Sequence, residues 1–176
     1  MTTIETNWVD EIGAPAAEAI HEMVAALQCD YERLEELKDE RNGWDPEEDD
    51  AGGKRSWADA DPDDAEELAA LILAAGDCAD RDEAEQRIGE DALSIEVRCD
   101  WHALGSDADD AAEFCILLTT GGPAVRIIGE LDIGSPIRPR LEVQDWFKPW
   151  TEYFEEDQQK LQATLQAYCD CFYFGD

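Results

Sequence analysis

Leu93-Ser94-Ile95-Glu96-Val97-Arg98-Cys99-Asp100-Trp101 alternates apolar and polar side chains without a break. A repeat of two is the period of a strand, so Leu93, Ile95, Val97, Cys99 and Trp101 share one face and the expectation is a half-buried strand. Downstream the texture stays strand-like. Residues 112–120 (AEFCILLTT) are apolar on both faces, as in a central strand. Gly121-Gly122-Pro123 reads as a turn. Residues 124–131 (AVRIIGEL) supply a third strand and 138–146 a fourth, with Leu141 and Val143 on one face. Connections this short favour an antiparallel meander. Phe154, Leu161, Leu165, Tyr168 and Phe172 then mark a C-terminal helix able to cover the sheet.

Upstream the period changes. A first helix is expected from near Pro15, a residue suited to a first turn, with Ile20, Val24, Leu27, Tyr31 and Leu34 as its buried stripe. Glu32, Glu36 and Glu40 line another face at i, i+4, i+8. Like charges at that spacing destabilise an isolated helix, so folding alone does not select them. Residues 42–61 read as a loop around Asn42-Gly43 and Gly52-Gly53, pinned by Trp44 and Trp57. A second helix has strong start and stop signals: Asp61 to cap it, Pro62 in the first turn, Asp63 and Asp64 at the positive end, Gly76 to finish. Leu68, Leu71, Ile72 and Ala75 form its apolar face, and a short helix over about 81–88 follows. The expected fold class is α+β, a single domain over 1–176. N-terminal acidic helices fill about 1–91; a four-stranded antiparallel sheet and a C-terminal helix fill about 92–176.

Charge is the strongest compositional signal. The 176 residues carry 45 acids against 13 bases, a net −32. Residues 1–110 hold 34 acids and 8 bases, whereas 111–176 hold 11 and 5. At one charge per about 1.7 Å, −32 matches roughly 54 Å of DNA duplex. Direct binding to nucleic acid or to an anionic membrane is disfavoured at this charge, and a basic partner is favoured. No N-terminal stretch is basic and then apolar, and no apolar run approaches the ~18 residues of a membrane span, so a cytoplasmic protein is expected.

No catalytic motif stands out. Asp45, Glu47 and Asp49 resemble the start of a calcium loop, but the sixth position is Asp50 and the twelfth Ser56, where Gly and Glu are required. Cys99 and His102, and Cys169 and Cys171, fall short of a zinc set, so neither metal nor cofactor is expected. The six cysteines form no CxxC and are expected as thiols in apolar packing. His21 and His102 lie in no nucleophile signature, so no enzymatic activity is expected. The aromatic segment from Asp145 to Phe154 reads as corner packing in preference to a binding platform.

Leu117-Leu118-Thr119-Thr120-Gly121-Gly122-Pro123-Ala124-Val125-Arg126-Ile127, Gly129-Glu130-Leu131-Asp132, Asp145-Trp146-Phe147, Pro149-Trp150-Thr151-Glu152-Tyr153 and the ending Cys171-Phe172-Tyr173-Phe174-Gly175 resemble an uncharacterised family carried by bacteriophages and mobile elements. The resemblance covers about residues 93–176. It implies a genomic setting, the cytoplasm of a bacterial host, and no mechanism. Phages and mobile elements also carry acidic DNA mimics that disable restriction enzymes and CRISPR complexes, which the first half is similar to in charge only.

Carboxylates on a folded scaffold can occupy the Lys and Arg sites that bind phosphates, and they pair with Arg as phosphates do. The expected function is therefore a DNA-mimicking inhibitor of a basic DNA-binding defence protein, a CRISPR effector or a restriction enzyme. The residues expected to bind that partner are Glu32, Glu36, Glu40, Asp45, Glu47, Glu48, Asp49, Asp50, Asp59, Asp61, Asp63, Asp64, Glu66 and Glu67. Two other classes stay open: a salt-adapted protein whose charge is solvation, and an enzyme that uses carboxylates.

Overall fold

The computed structural model of the chain describes residues 8–45, 56–99 and 111–175. Within them run α1 (Trp8–Leu27), α2 (Tyr31–Gly43), α3 (Trp57–Ala60), α4 (Pro62–Ala75) and α5 (Arg81–Asp91). Then come β1 (Ser94–Cys99), β2 (Ala111–Thr119), β3 (Ala124–Asp132), β4 (Ser135–Gln144), β5 (Thr151–Glu152) and α6 (Gln158–Cys169). The fold is α+β, and the strands form one antiparallel meander in the order β1-β2-β3-β4-β5. The sheet has five strands where four were expected. β5 pairs Glu152 with Glu142 and Thr151 with Val143, and two residues are too short for alternation to reveal.

The chain separates into two compact units. A helical unit spans Ala25–Ala84; a sheet unit takes α1 up to Val24 and everything from Glu85 onward. In the sheet unit, Phe114, Ile116, Ile127, Leu141 and Val143 line one buried face. Leu161, Leu165, Tyr168 and Cys169 of α6 are also fully buried, and Gln162 and Gln166 donate to the carbonyls of Pro139 and Pro136 on β4. Phe114 stacks on Phe174 at 4.7 Å and lies over Gly129, where a Cβ would meet its ring at 2.5 Å. The helix begins after Phe154, which is exposed, and ends before Phe172, so α6 is shorter than its aromatic pattern suggested.

β1 departs from its reading as half-buried. Its register puts Ile95 beside Ile116 and Val97 beside Phe114, on the buried face, yet Leu93, Ile95 and Val97 are all exposed. The pattern gave the right face. Burial also needs a covering element, and β1 is the edge strand.

The helical half is more divided than its periodicity suggested. The stripe from Ile20 to Leu34 is carried by two helices, because Asp30 caps α2 by accepting from the Arg33 amide at 3.0 Å. α1 starts at Trp8 and holds Pro15 internally. The missing N–H orphans the Glu11 carbonyl, on an exposed residue where water can serve it. The helical unit closes around Leu34, Leu37, Trp57, Leu68 and Ala75, with Tyr31, Trp44 and Leu71 packed against them. Of the segment 42–61 expected as a loop, Trp44 packs against this core, Trp57–Ala60 is the short helix α3, and residues 46–55 lie outside the described residues. Ile72, assigned to the core face of α4, is exposed, as is Leu73.

Candidate functional site

The acidic surface is built on the helical unit, whose described residues, 25–45 and 56–84, hold 17 acids and 4 bases, a net −13. Leu34 and Leu37 on α2 and Leu68 on α4 form the buried seam, which leaves the polar faces of both helices to solvent. Glu32, Glu36 and Glu40 are exposed along α2; Asp63, Glu66 and Glu67 are exposed on α4 and Asp64 is half-buried.

Arg33 organises this surface. Its Nε and Nη2 donate to Glu67 Oε2 at 3.2 and 3.0 Å, Nη2 donates to Asp64 Oδ1 at 3.1 Å, and Nη1 reaches Glu36 Oε2 at 3.5 Å. The bonds to Glu67 lead in raising the Arg33 pKa above its ordinary value. Three of the expected partner-binding carboxylates are thus gathered round one guanidinium, which ties α2 to α4. The i, i+3 spacing to Glu36 was visible in the chain; the pairs to Asp64 and Glu67 cross 31 and 34 residues and were not.

The other expected residues fall into three groups. Asp59 is held locally: Ser56 Oγ donates to its carboxylate at 2.8 Å while the Asp59 amide donates back to Ser56. Asp61 occupies the N-cap of α4 but makes no side-chain capping bond, a correction to the cap assigned from sequence. Asp45 is exposed, and Glu47, Glu48, Asp49 and Asp50, with the calcium-like stretch they belong to, lie outside the described residues. Two features were missed in the sequence. Lys38 pairs with Glu35 at 2.6 Å, and Asp39 is a further exposed acid on α2.

Three arrangements in the sheet unit invite a catalytic reading. His21 Nδ1 lies 2.8 Å from Thr164 Oγ1 and Nε2 lies 3.0 Å from Glu155 Oε2, the order of a hydroxyl, a base and an orienting acid. Thr164 is buried, so its hydroxyl faces the protein interior and the chain of bonds fastens α1 to α6. The second is a cavity of about 240 Å³ on the open face of the sheet, lined by Glu96, Arg98, Glu113, Cys115, Arg126 and Arg140 among others. Its charges are largely matched. Arg98 pairs with Glu113 and lowers that carboxyl's pKa; Arg126 forks onto Glu142 at 2.9 and 2.7 Å and stacks on Trp150 at 4.1 Å. Burial pushes the Cys115 thiol up, away from the thiolate a nucleophile needs. Among the described residues no group of His, Cys, Asp and Glu could hold a metal ion.

The third is the aromatic turn between β4 and β5. Trp146 and Phe147 are exposed, against the expected corner packing, and Phe147 holds a φ of 63°. Tyr153 alone of this segment is fully in the core. No disulfide joins the six cysteines, of which Cys78 and Cys169 are buried and Cys99 is exposed. No helix of the described residues is long and apolar enough to cross a membrane. Compared with protein-family models, curated proteins and solved structures, the chain matches none.

Proposed function

We propose that this protein is a phage or mobile-element inhibitor that binds the DNA-contacting groove of a basic host defence protein, a CRISPR effector or a restriction enzyme, in the cytoplasm of a bacterial host. It acts as a binder and not as an enzyme. The observation that carries this reading is the density of acid on a folded helical unit: 17 acids against 4 bases in its described residues, 25–45 and 56–84. Glu32, Glu36 and Glu40 advance about 6 Å per step along α2. Two base steps of one DNA strand rise about 6.8 Å. A row of Arg and Lys aimed at every second phosphate meets carboxylates at nearly this pitch, Glu36 being shared with Arg33.

Glu32, Glu40, Asp63 and Glu66 are the residues to reverse, because Arg33 already engages Glu36, Asp64 and Glu67. The test is capture of host proteins on the immobilised chain at about 0.1 M salt, where charges act over about 10 Å, followed by elution with duplex DNA. A DNA-binding defence protein released by duplex, and not retained by the fourfold Lys variant, supports the reading. Retention of the same protein by a folded fourfold variant overturns it.

A further inference from the structure

We propose that β1 is a dimerisation edge, through which two copies of this chain join their sheets in antiparallel register about a two-fold axis at Val97. This goes beyond the proposed inhibitor function and does not depend on it. β1 is the terminal strand of the meander, and among the described residues no strand pairs with its outer side. Its apolar residues Ile95 and Val97 are 43% and 49% exposed although they stand beside buried Ile116 and Phe114, and Leu93 just before it is 59% exposed. An exposed apolar edge strand is a template for pairing with another chain.

The occupant follows from the strand's own charges. With Val97 on the axis, Glu96 of each copy faces Arg98 of the other, and Ile95 faces Cys99. The pairs within Ile95–Cys99 are then complementary, apolar with apolar and acid with base. Shifting the axis by one residue brings Glu96 against Glu96 or Arg98 against Arg98. Shifts that mix odd with even positions set the apolar face of one copy against the polar face of the other. An axis at Ile95 sets Glu96 against Ser94 and Arg98 against Ala92, with no acid–base pair, so the register about Val97 is the favoured one. Arg98 bonds Glu113, and its side chain is 76% exposed.

Long-range repulsion works against this contact, since each copy carries −32. Salt screens many like charges across the whole body and only two short pairs in the interface, so the dimer strengthens as salt rises. The Debye length falls from about 30 Å at 0.01 M to about 3 Å at 1 M.

The experiment is sedimentation of the full chain across that salt range, with two variants. Ile95→Cys places a thiol opposite Cys99 of the other copy, within the reach of a disulfide. Within one chain the two thiols are four strand residues, about 13 Å, apart and cannot join. Mild oxidation is expected to give a reducible covalent dimer that Cys99→Ser abolishes. Glu96→Lys makes each copy less negative, which by net charge alone favours association, yet it sets two cations together at the axis; it is expected to give monomer at salt where the wild type is dimer. A wild type that stays monomeric at every salt overturns the proposal. So does a dimer that Glu96→Lys strengthens, or an Ile95→Cys chain that does not cross-link through Cys99.

Discussion

Gly13 offers a substitution whose sign the helix and the tertiary structure dispute. It sits inside α1 and is buried. Gly to Ala in a helix interior ordinarily stabilises by about 1 kcal/mol. Here an added Cβ would stand on Cδ2 of Tyr153 and 2.5 Å from its Cγ, with the Tyr153 Cβ at 3.0 Å. Those atoms are the root of a buried side chain, so a rotamer change does not clear them and the backbones must part. Overpacking of this kind costs about 1–3 kcal/mol, and the closeness to Cγ puts it at the upper end. Gly13→Ala is therefore expected to destabilise by roughly 2 kcal/mol net. For a chain of this size that lowers Tm by roughly 4–8 °C, read from thermal melts followed by circular dichroism. Tyr153→Ala alone loses a buried ring, about 3–5 kcal/mol. In that background Gly13→Ala should become stabilising by up to about 1 kcal/mol, which gives a coupling of roughly 3 kcal/mol in the double-mutant cycle. A Gly13→Ala chain that melts higher than wild type, or one whose effect is the same in both backgrounds, refutes the packing argument.

Alkaline pH tests the buried tyrosines. Burial raises Tyr168, Tyr153 and Tyr31, the last to about 12, and Asp91, which accepts from the Tyr168 hydroxyl at 2.6 Å, raises Tyr168 further. A raised folded pKa means that the folded state holds the proton more tightly. The stabilisation is complete below about pH 10, the unfolded value, and is lost as pH rises toward the folded one. Chemical-denaturation midpoints should fall above about pH 10, and less steeply in Tyr168→Phe; equal slopes contradict this. His21→Ala leaves the Thr164 hydroxyl buried without its His21 partner and is expected to cost about 1–3 kcal/mol in urea unfolding. Leu37→Ala, in the fully buried seam of the helical unit, is expected to cost about 2–5 kcal/mol. Thiol labelling of the native chain should modify exposed Cys99 and spare Cys169, whose pKa burial raises strongly, until the protein unfolds.

How legible the fold was depended on the kind of signal. α4 was readable because Pro62 and Gly76 mark its ends by backbone chemistry, which acts within one turn. β2, β3 and β4 were readable because short apolar runs and a Gly-Gly-Pro turn are local too. The break between α1 and α2 was masked by Tyr31 and Leu34, which continue the spacing of the preceding stripe, although Asp30 was a capping residue in plain view. Of the candidate site, the exposed acids of α2 and α4 were legible as charge. Which of them stand round Arg33 was not, because pairing across two helices depends on how the helices pack.

The sequence by itself determined the α+β order, the strand faces, the capped helix α4 and the excess of acid in its first half, since each arises from neighbours along the chain. Only the tertiary structure decided which apolar residues are covered and which carboxylates are neutralised. Ile95, Val97 and Ile72 carry the same pattern as core residues and are exposed. Burial and ion pairing belong to pairs of segments distant in sequence, and no local periodicity encodes the distance between them.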